Sequence, residues 1–405
     1  MQSLLIIGYT WPEPKTTGAG VRMMQLIHSF LNHDFKITFA SAADKTKYSE
    51  DLNAFGVREQ LIKLNDSTFD SFVKKLNPDV VVFDRFYTEE QYGWRVAESC
   101  PLAIRILDTE DLHFIRFARE EAVKKKKAVN FKNSKIALRE LASIYRCDLS
   151  LIISTKEVEV LIKEFKIDNE LLQYVPFIPN KIKIDVLPGF NQRQHFVFIG
   201  NYRHQPNVDA ILELKKSIWP LISKELPQAA LYCYGAYAGE QIKQLHNAGE
   251  RFFINGWTEN AHQQIQNARV MLAPLLFGAG LKGKLVDAMQ CGTPFVTTSV
   301  GFEGFGNYSN LSFSVTDEIR TFSENAIKLY SDEFLWANYQ KEGFQILIEQ
   351  FLNQDFESLF FQKLKKLSSG LNSHREDNFI GAMLRYHNLQ STKYLSKWIE
   401  AKSKS

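Results

Sequence analysis

The chain has 405 residues, which is more than one hydrophobic core usually organises, and its length predicts two domains. Its 45% hydrophobic and 23% charged residues are typical of a globular protein. The 49 basic and 46 acidic residues leave a net charge of +3, which excludes the strongly basic character of a general nucleic-acid-binding protein.

The first half of the chain alternates short apolar runs with helical patterns. Nearly continuous apolar runs separated by helices predict a parallel sheet that is covered on both faces. A helix is expected from Val21 to Asn32, and one or two helices between His113 and Arg146 with a break near 126–133. The predicted strands are Leu4–Gly8, Phe35–Ser41, Asp79–Phe83, Leu102–Leu107 and Leu149–Ser154.

A loop-like stretch from Pro176 to Arg193 separates this pattern from a second one of the same kind. The second pattern predicts strands at 196–200, 230–234, 252–255, 270–273 and 294–298, with helices at 207–226, 261–268 and 284–290 between them. Helical residues follow from Asp317. We therefore predict an α/β protein with two Rossmann-like, doubly wound domains that face a cleft. The predicted boundaries are 1–178, 193–372 and a helical tail, 373–405, that packs across to the first domain or frays.

The cysteines and the N-terminal residues indicate the cellular compartment in which the protein is expected. Cys100, Cys147, Cys233 and Cys291 are far apart and form no CxxC or Cys/His cluster, which is typical of buried, reduced thiols rather than a metal site. The apolar run at the N-terminus is too short for a signal peptide, and no stretch reaches the ~20 apolar residues of a membrane span. We expect a cytoplasmic protein, whose contact with the inner face of a membrane would be peripheral.

Ligands of open parallel sheets bind beyond the carboxyl ends of the strands, so the loops there are the candidate site. The first such loop opens a helix with Gly18 and Gly20. Glycines let backbone N–H groups approach an anion, and a helix N-terminus attracts negative charge. A tight turn without a ligand explains these glycines equally well, and the dinucleotide fingerprint GxGxxG is incomplete.

The second loop, 274–289, leads from a strand into a helix and carries glycines and two lysines, Gly278, Gly280, Lys282 and Lys284. Backbone donors, a helix N-terminus and ammonium groups together suit a diphosphate. Asp287 lies three residues after Lys284 on the same helix face, where a carboxylate could accept hydrogen bonds from ribose hydroxyls. An ordinary helix start with a Lys–Asp pair is the alternative. The spacing is not that of a P-loop.

The third loop ends a strand with several titratable side chains, among them Asp108, Asp111 and His113. A histidine near carboxylates can act as a general base or donate to a substrate oxygen, so these three are the candidate catalytic residues. In the alternative, Asp108 or Asp111 caps the following helix. Both interpretations can hold together.

Isolated basic residues are weaker candidates for anion binding. Arg203 follows the first strand of the second domain, where a phosphate-binding arginine and a surface arginine are equally plausible. Arg22 and Arg85 are of the same kind. The run Lys124–Lys127 is interpreted as a solvated surface, with a membrane surface or an anionic acceptor as alternatives.

The order and spacing of blocks in the second half resemble the group 1 glycosyltransferases, which have the GT-B fold. The blocks lie at 196–210, 255–257, 273–289 and 292–298. The first half resembles the family more loosely, near Gly18, at 111–119 and at 146–157. The resemblance covers about residues 1–330.

This resemblance implies a nucleotide-sugar donor held mainly by the second domain and an acceptor held by the first, with retention of the anomeric configuration. It implies that Lys284 and Arg203 face the diphosphate and that Asp287 stands near the ribose. It further implies that the backbone around Trp257 flanks the base, while Gly18 approaches from across the cleft.

Two departures from the family pattern concern the donor. Many members have two glutamates eight positions apart, and Ala279 occupies the first of these positions. The usual Arg…Lys pair after the first strand of the second domain is also missing, and Arg203, Lys282 and Lys284 are hypothesised to supply its charge. His113 acting as a true base would imply inversion rather than retention.

The expected function is the metal-independent transfer of a sugar from a nucleoside-diphosphate sugar to an acceptor hydroxyl, without a cofactor, in glycan or cell-envelope polysaccharide biosynthesis. The acceptor is expected to be a glycan, a lipid-linked group or a protein, and no nucleic-acid partner is expected. A degenerate protein that binds a nucleotide sugar or a partner without catalysis is the alternative, as is a sugar-nucleotide epimerase or hydrolase.

Overall fold

The computed structural model describes residues 2–179, 187–306 and 313–404. Residues 180–186 of the predicted loop between the domains therefore lie outside the described residues. Within the described ranges, the chain forms two parallel sheets, one of seven strands and one of five. The prediction of two Rossmann-like, doubly wound domains is confirmed.

The first sheet has the strand order β3-β2-β1-β4-β5-β6-β7, and all neighbouring strands are parallel. Alternate residues of its central strands enter two separate hydrophobic clusters, one on each face, as continuous apolar strands require. The strands are β1 (Ser3–Gly8), β2 (Lys36–Ser41), β3 (Arg58–Leu61), β4 (Val80–Asp84), β5 (Ile104–Asp108), β6 (Leu149–Ile152) and β7 (Leu172–Tyr174).

Six helices of the described first half of the chain accompany this sheet. The structure ends one helix at Lys125 and begins the next at Lys135, which matches the break expected between His113 and Arg146. The helices are α1 (Gly18–Asn32), α2 (Thr68–Leu76), α3 (Arg85–Ser99), α4 (His113–Lys125), α5 (Lys135–Arg146) and α6 (Thr155–Phe165).

The second sheet has the order β10-β9-β8-β11-β12 and is also parallel. Its strands are β8 (Gln194–Ile199), β9 (Leu231–Tyr234), β10 (Phe252–Gly256), β11 (Ala268–Ala273) and β12 (Phe295–Thr297). The helices are α7 (Gln205–Glu213), α8 (Trp219–Glu225), α9 (Glu240–Lys243), α10 (Ala261–Asn267), α11 (Gly283–Gln290), α12 (Ser299–Phe302), α13 (Ile319–Ser331) and α14 (Glu333–Leu347). A π-helical turn, Leu214–Ile218, joins α7 to α8 where the sequence predicts one continuous helix.

The last two helices, α15 (Phe356–Asp377) and α16 (Phe379–Lys404), return to the first domain. Phe360, Leu364 and Leu367 of α15 are buried in the hydrophobic cluster that covers one face of the first sheet. The crossing thus begins at Phe356, whereas the sequence predicts the tail from 373, because the apolar residues of α15 pack against the first domain. Within the described ranges, no helix has the length and apolarity needed to cross a membrane.

Candidate functional site

The carboxyl ends of both sheets border one cleft of about 1150 Å³ between the domains. Parallel strands place their following loops at the same edge, so the three loops singled out in the sequence meet there. Of the predicted site residues, the cleft is lined by Gly18, Gly20, Asp111, His113, Arg203, Trp257, Gly278, Gly280, Lys282, Lys284 and Asp287. Asp108 is the one that does not line it.

The two glycines of the first loop have different roles. The Thr17 side chain caps α1 by accepting a hydrogen bond from the backbone N–H of Gly20 at 2.9 Å. A β-carbon at Gly20 would lie 2.4 Å from the backbone of Glu13, so a glycine is required there for packing. A β-carbon at Gly18 would contact only Phe177, at 3.7 Å. Gly18 is therefore the position of this loop that leaves room for a ligand.

The first domain holds the glycine–lysine loop of the second domain in place. The backbone N–H of Gly280 donates to Glu157 Oε1 at 2.8 Å, and the carbonyl of Gly278 accepts from Arg119 Nη1 at 2.7 Å. Gly280 has a φ of +66°, a conformation that favours glycine. The buried Lys282 donates from Nζ to the carbonyl of Gly280 at 2.7 Å, and burial lowers its pKa to about 8. Lys282 thus fixes the shape of the loop.

Lys284 lies at the start of α11 and points toward the turn after β8. Its Nζ donates to Asn207 Oδ1 at 2.6 Å and lies 4.8 Å from the centre of the Phe198 ring. Burial lowers the pKa of Lys284 to about 7 against the opposing effect of Asp287. The ammonium therefore sits in a site that would gain from a second, negatively charged partner, as a diphosphate would be.

Asp287 and His262 form a pair on the second-domain wall of the cleft. His262 Nε2 lies 3.2 Å from Asp287 Oδ1, and this contact raises the pKa of His262. Sequence reasoning missed His262, because it comes from α10, twenty-five residues earlier in the chain. Asp287 is half-buried and can still accept hydrogen bonds from a ligand in the cleft.

Arg203 and Trp257 lie at the mouth of the cleft. The exposed guanidinium of Arg203 stacks 3.6 Å from the centre of the Tyr237 ring, whose hydroxyl donates to Glu13 of the first domain at 2.8 Å. Trp257 Nε1 donates to the carbonyl of Lys15, also in the first domain, at 3.2 Å. Both predicted residues therefore belong to the contact that closes the two domains at the rim.

Asp108 is a structural residue, and the expectation that it stands at the reaction centre is corrected. It is fully buried and accepts from Arg22 Nε at 2.9 Å and Nη2 at 2.7 Å. Arg22 is equally buried, so it is not a phosphate-binding arginine. Buried charges of this kind are retained in pairs because either one alone would be strongly destabilising.

The expectation that an aspartate caps α4 is also wrong. The N-terminal N–H groups of α4 at His113 and Phe114 donate to the two carboxylate oxygens of Glu140, at 3.1 and 3.0 Å. The N–H of Leu112 donates to Glu157 at 2.7 Å. Glutamates from α5 and α6 thus serve the helix N-terminus, and a local sequence pattern cannot reveal partners so far along the chain.

Asp111 and His113 come together at the floor of the cleft. His113 Nδ1 lies 3.3 Å from Asp111 Oδ1 and 3.3 Å from Glu140 Oε1. Although burial opposes it, the charges of Arg116 and His113 lower the pKa of Asp111 to about 2. Asp111 is therefore an ionised anchor for Arg116 and His113, and it is not a proton acceptor near neutral pH.

Two further residues, Arg85 and Glu110, line the first-domain side of the cleft and were missed or ranked low. Arg85 follows β4 directly, Glu110 lies two residues after the end of β5, and their φ values of +68° and +63° are strained for non-glycine residues. Glu110 Oε1 is buried and has no hydrogen-bond partner among the described residues. Burial, together with nearby carboxylates, raises the pKa of Glu110 to about 8. Glu110 therefore lines the cleft, whereas Asp108 does not.

Among residues 2–179, 187–306 and 313–404, no group of three or more histidine, cysteine, aspartate or glutamate side chains is arranged to hold a metal ion. The cysteines are all buried and free, as expected for reduced structural thiols.

Residues 193–332, which form the cleft wall with Lys284 and Asp287, match the family model described as Glycosyl transferases group 1. The second domain therefore matches the family that its sequence blocks resemble. The predictions of this family and of its class of enzyme are thereby confirmed over that domain.

The whole fold is similar to solved GT-B structures. TarM from S. aureus, solved with UDP and alpha-GlcNAc-glycerol, has a TM-score of 0.69 at 10% identity over 91% of this chain and 100% of that chain. Anabaena HepE, solved with UDP and glucose, has a TM-score of 0.62 at 14% identity over 91% and 100%. WaaG, a glycosyltransferase involved in lipopolysaccharide biosynthesis, has 0.57 at 13% over 88% and 97%. At these identities the likeness establishes the fold.

A protein described as an uncharacterized 44.6 kDa protein in the cps region of Klebsiella pneumoniae is 29% identical over 131 residues. The match covers 30% of this chain and 34% of that relative, so the two are related in sequence over about a third of their lengths.

Proposed function

We propose that the protein transfers a sugar from a nucleoside-diphosphate sugar to a hydroxyl group of an acceptor, without a metal ion. The observation that carries this proposal is the position of Lys284, whose partly buried ammonium lies at the N-terminus of α11 in a domain that matches the group 1 glycosyltransferase family. The leaving nucleoside diphosphate gains negative charge as the bond to the sugar breaks. A fixed ammonium and a helix N-terminus stabilise that charge without rearranging.

The donor is proposed to lie along the second domain, with its diphosphate against Lys284 and its ribose near Asp287 and His262. Arg203 lies further out than Lys284, at the rim, and would reach the diphosphate from the mouth of the cleft. The solved structures of TarM and HepE with UDP support a uridine nucleotide as the first donor to test.

The acceptor is proposed to enter along the first domain, past Arg85 and Glu110. His113 is buried between Asp111, Glu140 and two aromatic rings, which favours a positioned hydrogen-bond donor to the sugar over a base that abstracts a proton. This placement supports the retention of configuration that the family resemblance implies. The biosynthesis of a glycan or cell-envelope polysaccharide, on the cytoplasmic side, is the proposed setting, and the likeness to WaaG supports it.

A thermal-shift screen against UDP, GDP, ADP and dTDP and their sugars tests the donor site. A ligand that binds only the folded protein at 100 times its Kd adds about 2.7 kcal/mol of stability. One nucleotide series should stabilise the protein, and Lys284→Ala should remove the shift. Lys224→Ala, an exposed lysine of the same domain, is the matched control and should leave the shift intact. Stabilisation by no nucleotide, or an equal shift in Lys284→Ala, would contradict the proposal.

A non-catalytic nucleotide-sugar-binding protein is the second candidate, and Ala279 favours it. Ala279 occupies the position of the family's first glutamate, is buried, and packs within a hydrophobic cluster of the first domain. Transfer of a labelled sugar to a panel of acceptors separates the candidates. Product that requires an acceptor supports a transferase, product without one supports an epimerase or hydrolase, and donor binding without any product supports the second candidate.

A further inference from the structure

The outer face of α16 carries an unusual number of exposed large hydrophobic side chains. Seven of them are between 45% and 73% exposed, whereas those of most other elements are scattered singly. At 100° per residue they fall within one half of the helix circumference, in two groups at 379–386 and 394–398. The stripe consists of Phe379, Ile380, Met383, Tyr386, Tyr394, Leu395 and Trp398. We call it the α16 stripe.

The opposite face of α16 is fastened to the first domain, so the stripe is displayed on a fixed surface. Asn378 donates to the carbonyl of Tyr145 at 2.8 Å at the beginning of the helix. Arg95 of α3 donates to Ser396 Oγ at 3.0 Å in its second half. A β-carbon at Gly381 would lie 2.1 Å from the Tyr145 carbonyl, so the helix approaches α5 as closely as a glycine allows. The apolar side therefore faces away from the protein.

The charges of α16 complement an anionic surface. Residues 379–404 contain five lysines and arginines and a single acidic residue, Glu400. Glu400 accepts from Ser67 Oγ at 2.5 Å and so belongs to the inner side. Lys397 and Lys402 are exposed beside the stripe, and the Lys402 ammonium lies 5.1 Å from the Trp398 ring.

The combination of exposed apolar side chains and neighbouring lysines on α16 favours a lipid surface over a protein as its partner. The buried centres of protein–protein interfaces are depleted in lysine. Helices that lie in a membrane interface combine tryptophan, phenylalanine and leucine on one face with flanking lysines and arginines. Tyrosine and tryptophan also suit the boundary, because one end of each ring is polar.

We infer that α16 docks the first domain onto an anionic lipid surface, with the α16 stripe in the headgroup region and Lys397 and Lys402 against lipid phosphates. The run Lys124–Lys127 is less suited to this role, because Lys124 and Lys125 pair with Glu120 and Glu121 on their own helix. The inference goes beyond the proposed transfer reaction and does not depend on it.

Co-sedimentation with vesicles tests the inference. The full chain should bind vesicles of equal parts phosphatidylglycerol and phosphatidylcholine, and bind phosphatidylcholine vesicles much more weakly. The triple variant Tyr386→Ser, Tyr394→Ser and Trp398→Ser should lower binding on the order of a hundredfold. Lys397→Gln and Lys402→Gln should each lower it about fivefold, with the effect fading at high salt.

The matched control is Leu102→Ser with Phe334→Ser, which removes two side chains that are 77% exposed outside α16. It should bind vesicles like the unmodified chain. Circular dichroism and an unchanged nucleotide-induced thermal shift would show that the triple variant is folded, so that a failed donor site and a failed lipid site give different results. Absence of binding to anionic vesicles, or binding unaffected by the triple variant, would overturn the inference. The inference would also be overturned if the unmodified chain binds no vesicles but forms a dimer in light scattering that only the triple variant dissociates.

Discussion

The ammonium of Lys284 is the group whose replacement should change donor binding most directly. Replacement by methionine keeps the length and apolar contacts of the side chain and removes the charge. Hydrogen bonds to charged groups contribute about 1.5–3 kcal/mol, so the Kd of a nucleotide sugar should rise about 10- to 150-fold at pH 6.5. The neutral methionine also leaves Asn207, its partner at 2.6 Å, without that donor.

The lowered pKa of Lys284 adds a dependence on pH whose sign can be worked out. Its pKa in the ligand-free protein is about 7, below the ordinary 10.5, because burial disfavours the charged form. Below pH 7 the lysine is already protonated, and binding takes up no proton. Above pH 7 the free protein must first bind a proton, so affinity should fall about tenfold per pH unit. The fall ends at the higher pKa that Lys284 has beside a bound diphosphate.

Calorimetric titration with a nucleotide sugar between pH 6 and 9 measures this dependence. A nucleotide sugar is the right probe, because its diphosphate is esterified at both ends and lacks the second phosphate pKa near 6. The affinity of Lys284→Met should be weak and flat over this range, and Lys224→Ala should behave like the unmodified protein. The assignment of the pH dependence to Lys284 would be refuted if the affinity of the unmodified protein did not change with pH, or if the affinity of Lys284→Met fell with the same slope. The second result would point to His262 or Lys282 as the titrating group.

Three further predictions concern the contacts that hold the site. Gly280→Ala should lower the free energy of unfolding by about 1–3 kcal/mol, because it combines a φ of +66° with a β-carbon 2.9 Å from a first-domain side chain. Gly56→Ala, with a φ of +76° and nothing within 4 Å of the added β-carbon, introduces backbone strain alone and should lower the free energy of unfolding by less. Asp108→Asn should lower stability in urea by about 3–5 kcal/mol by leaving Arg22 buried and unpaired, and a change near zero would return Asp108 to the list of catalytic candidates. Burial raises the pKa of Glu157 to about 8 in the folded protein, above its ordinary value of 4.5 in the unfolded chain, so ionisation of Glu157 opposes folding as the pH rises from 4.5 toward 8. The stability of Glu157→Gln relative to the unmodified chain should therefore increase over that pH range. A stability difference that stays constant with pH would contradict the raised pKa of Glu157.

The sequence predicted the parts of the fold that local patterns specify. Continuous apolar runs identified the central strands of both sheets, and the strand–glycine–helix pattern at 274–289 identified the cleft wall. The edge strands β3 and β7 were not predicted, because Arg58–Leu61 is largely polar and Leu172–Tyr174 has only three residues. A π-helical turn inside the predicted helix 207–226 likewise leaves no clear pattern in the sequence.

The candidate site could be located but not fully assigned from sequence. Asp108, Glu110 and Asp111 are neighbours in the chain, yet one is buried against Arg22, one faces the cleft and one anchors Arg116. Which environment each carboxyl group enters depends on residues that lie far along the chain. Those partners decide the pKa and therefore the role, and local spacing does not reveal them.

The contacts between the domains indicate how donor binding and closure are linked. The glycine–lysine loop gets its shape from Glu157 and Arg119 of the first domain, through Gly280 and Gly278. Opening the cleft would release both contacts, while the hydrogen bond from Lys282 to the Gly280 carbonyl lies within the loop and would remain. The proposed donor site on the second domain would therefore be complete only when the first domain is docked against it. A donor that binds the completed loop more tightly must favour closure by the same free energy, because the coupling between binding and closure is reciprocal. Water would then be excluded at the moment the donor is ready to react.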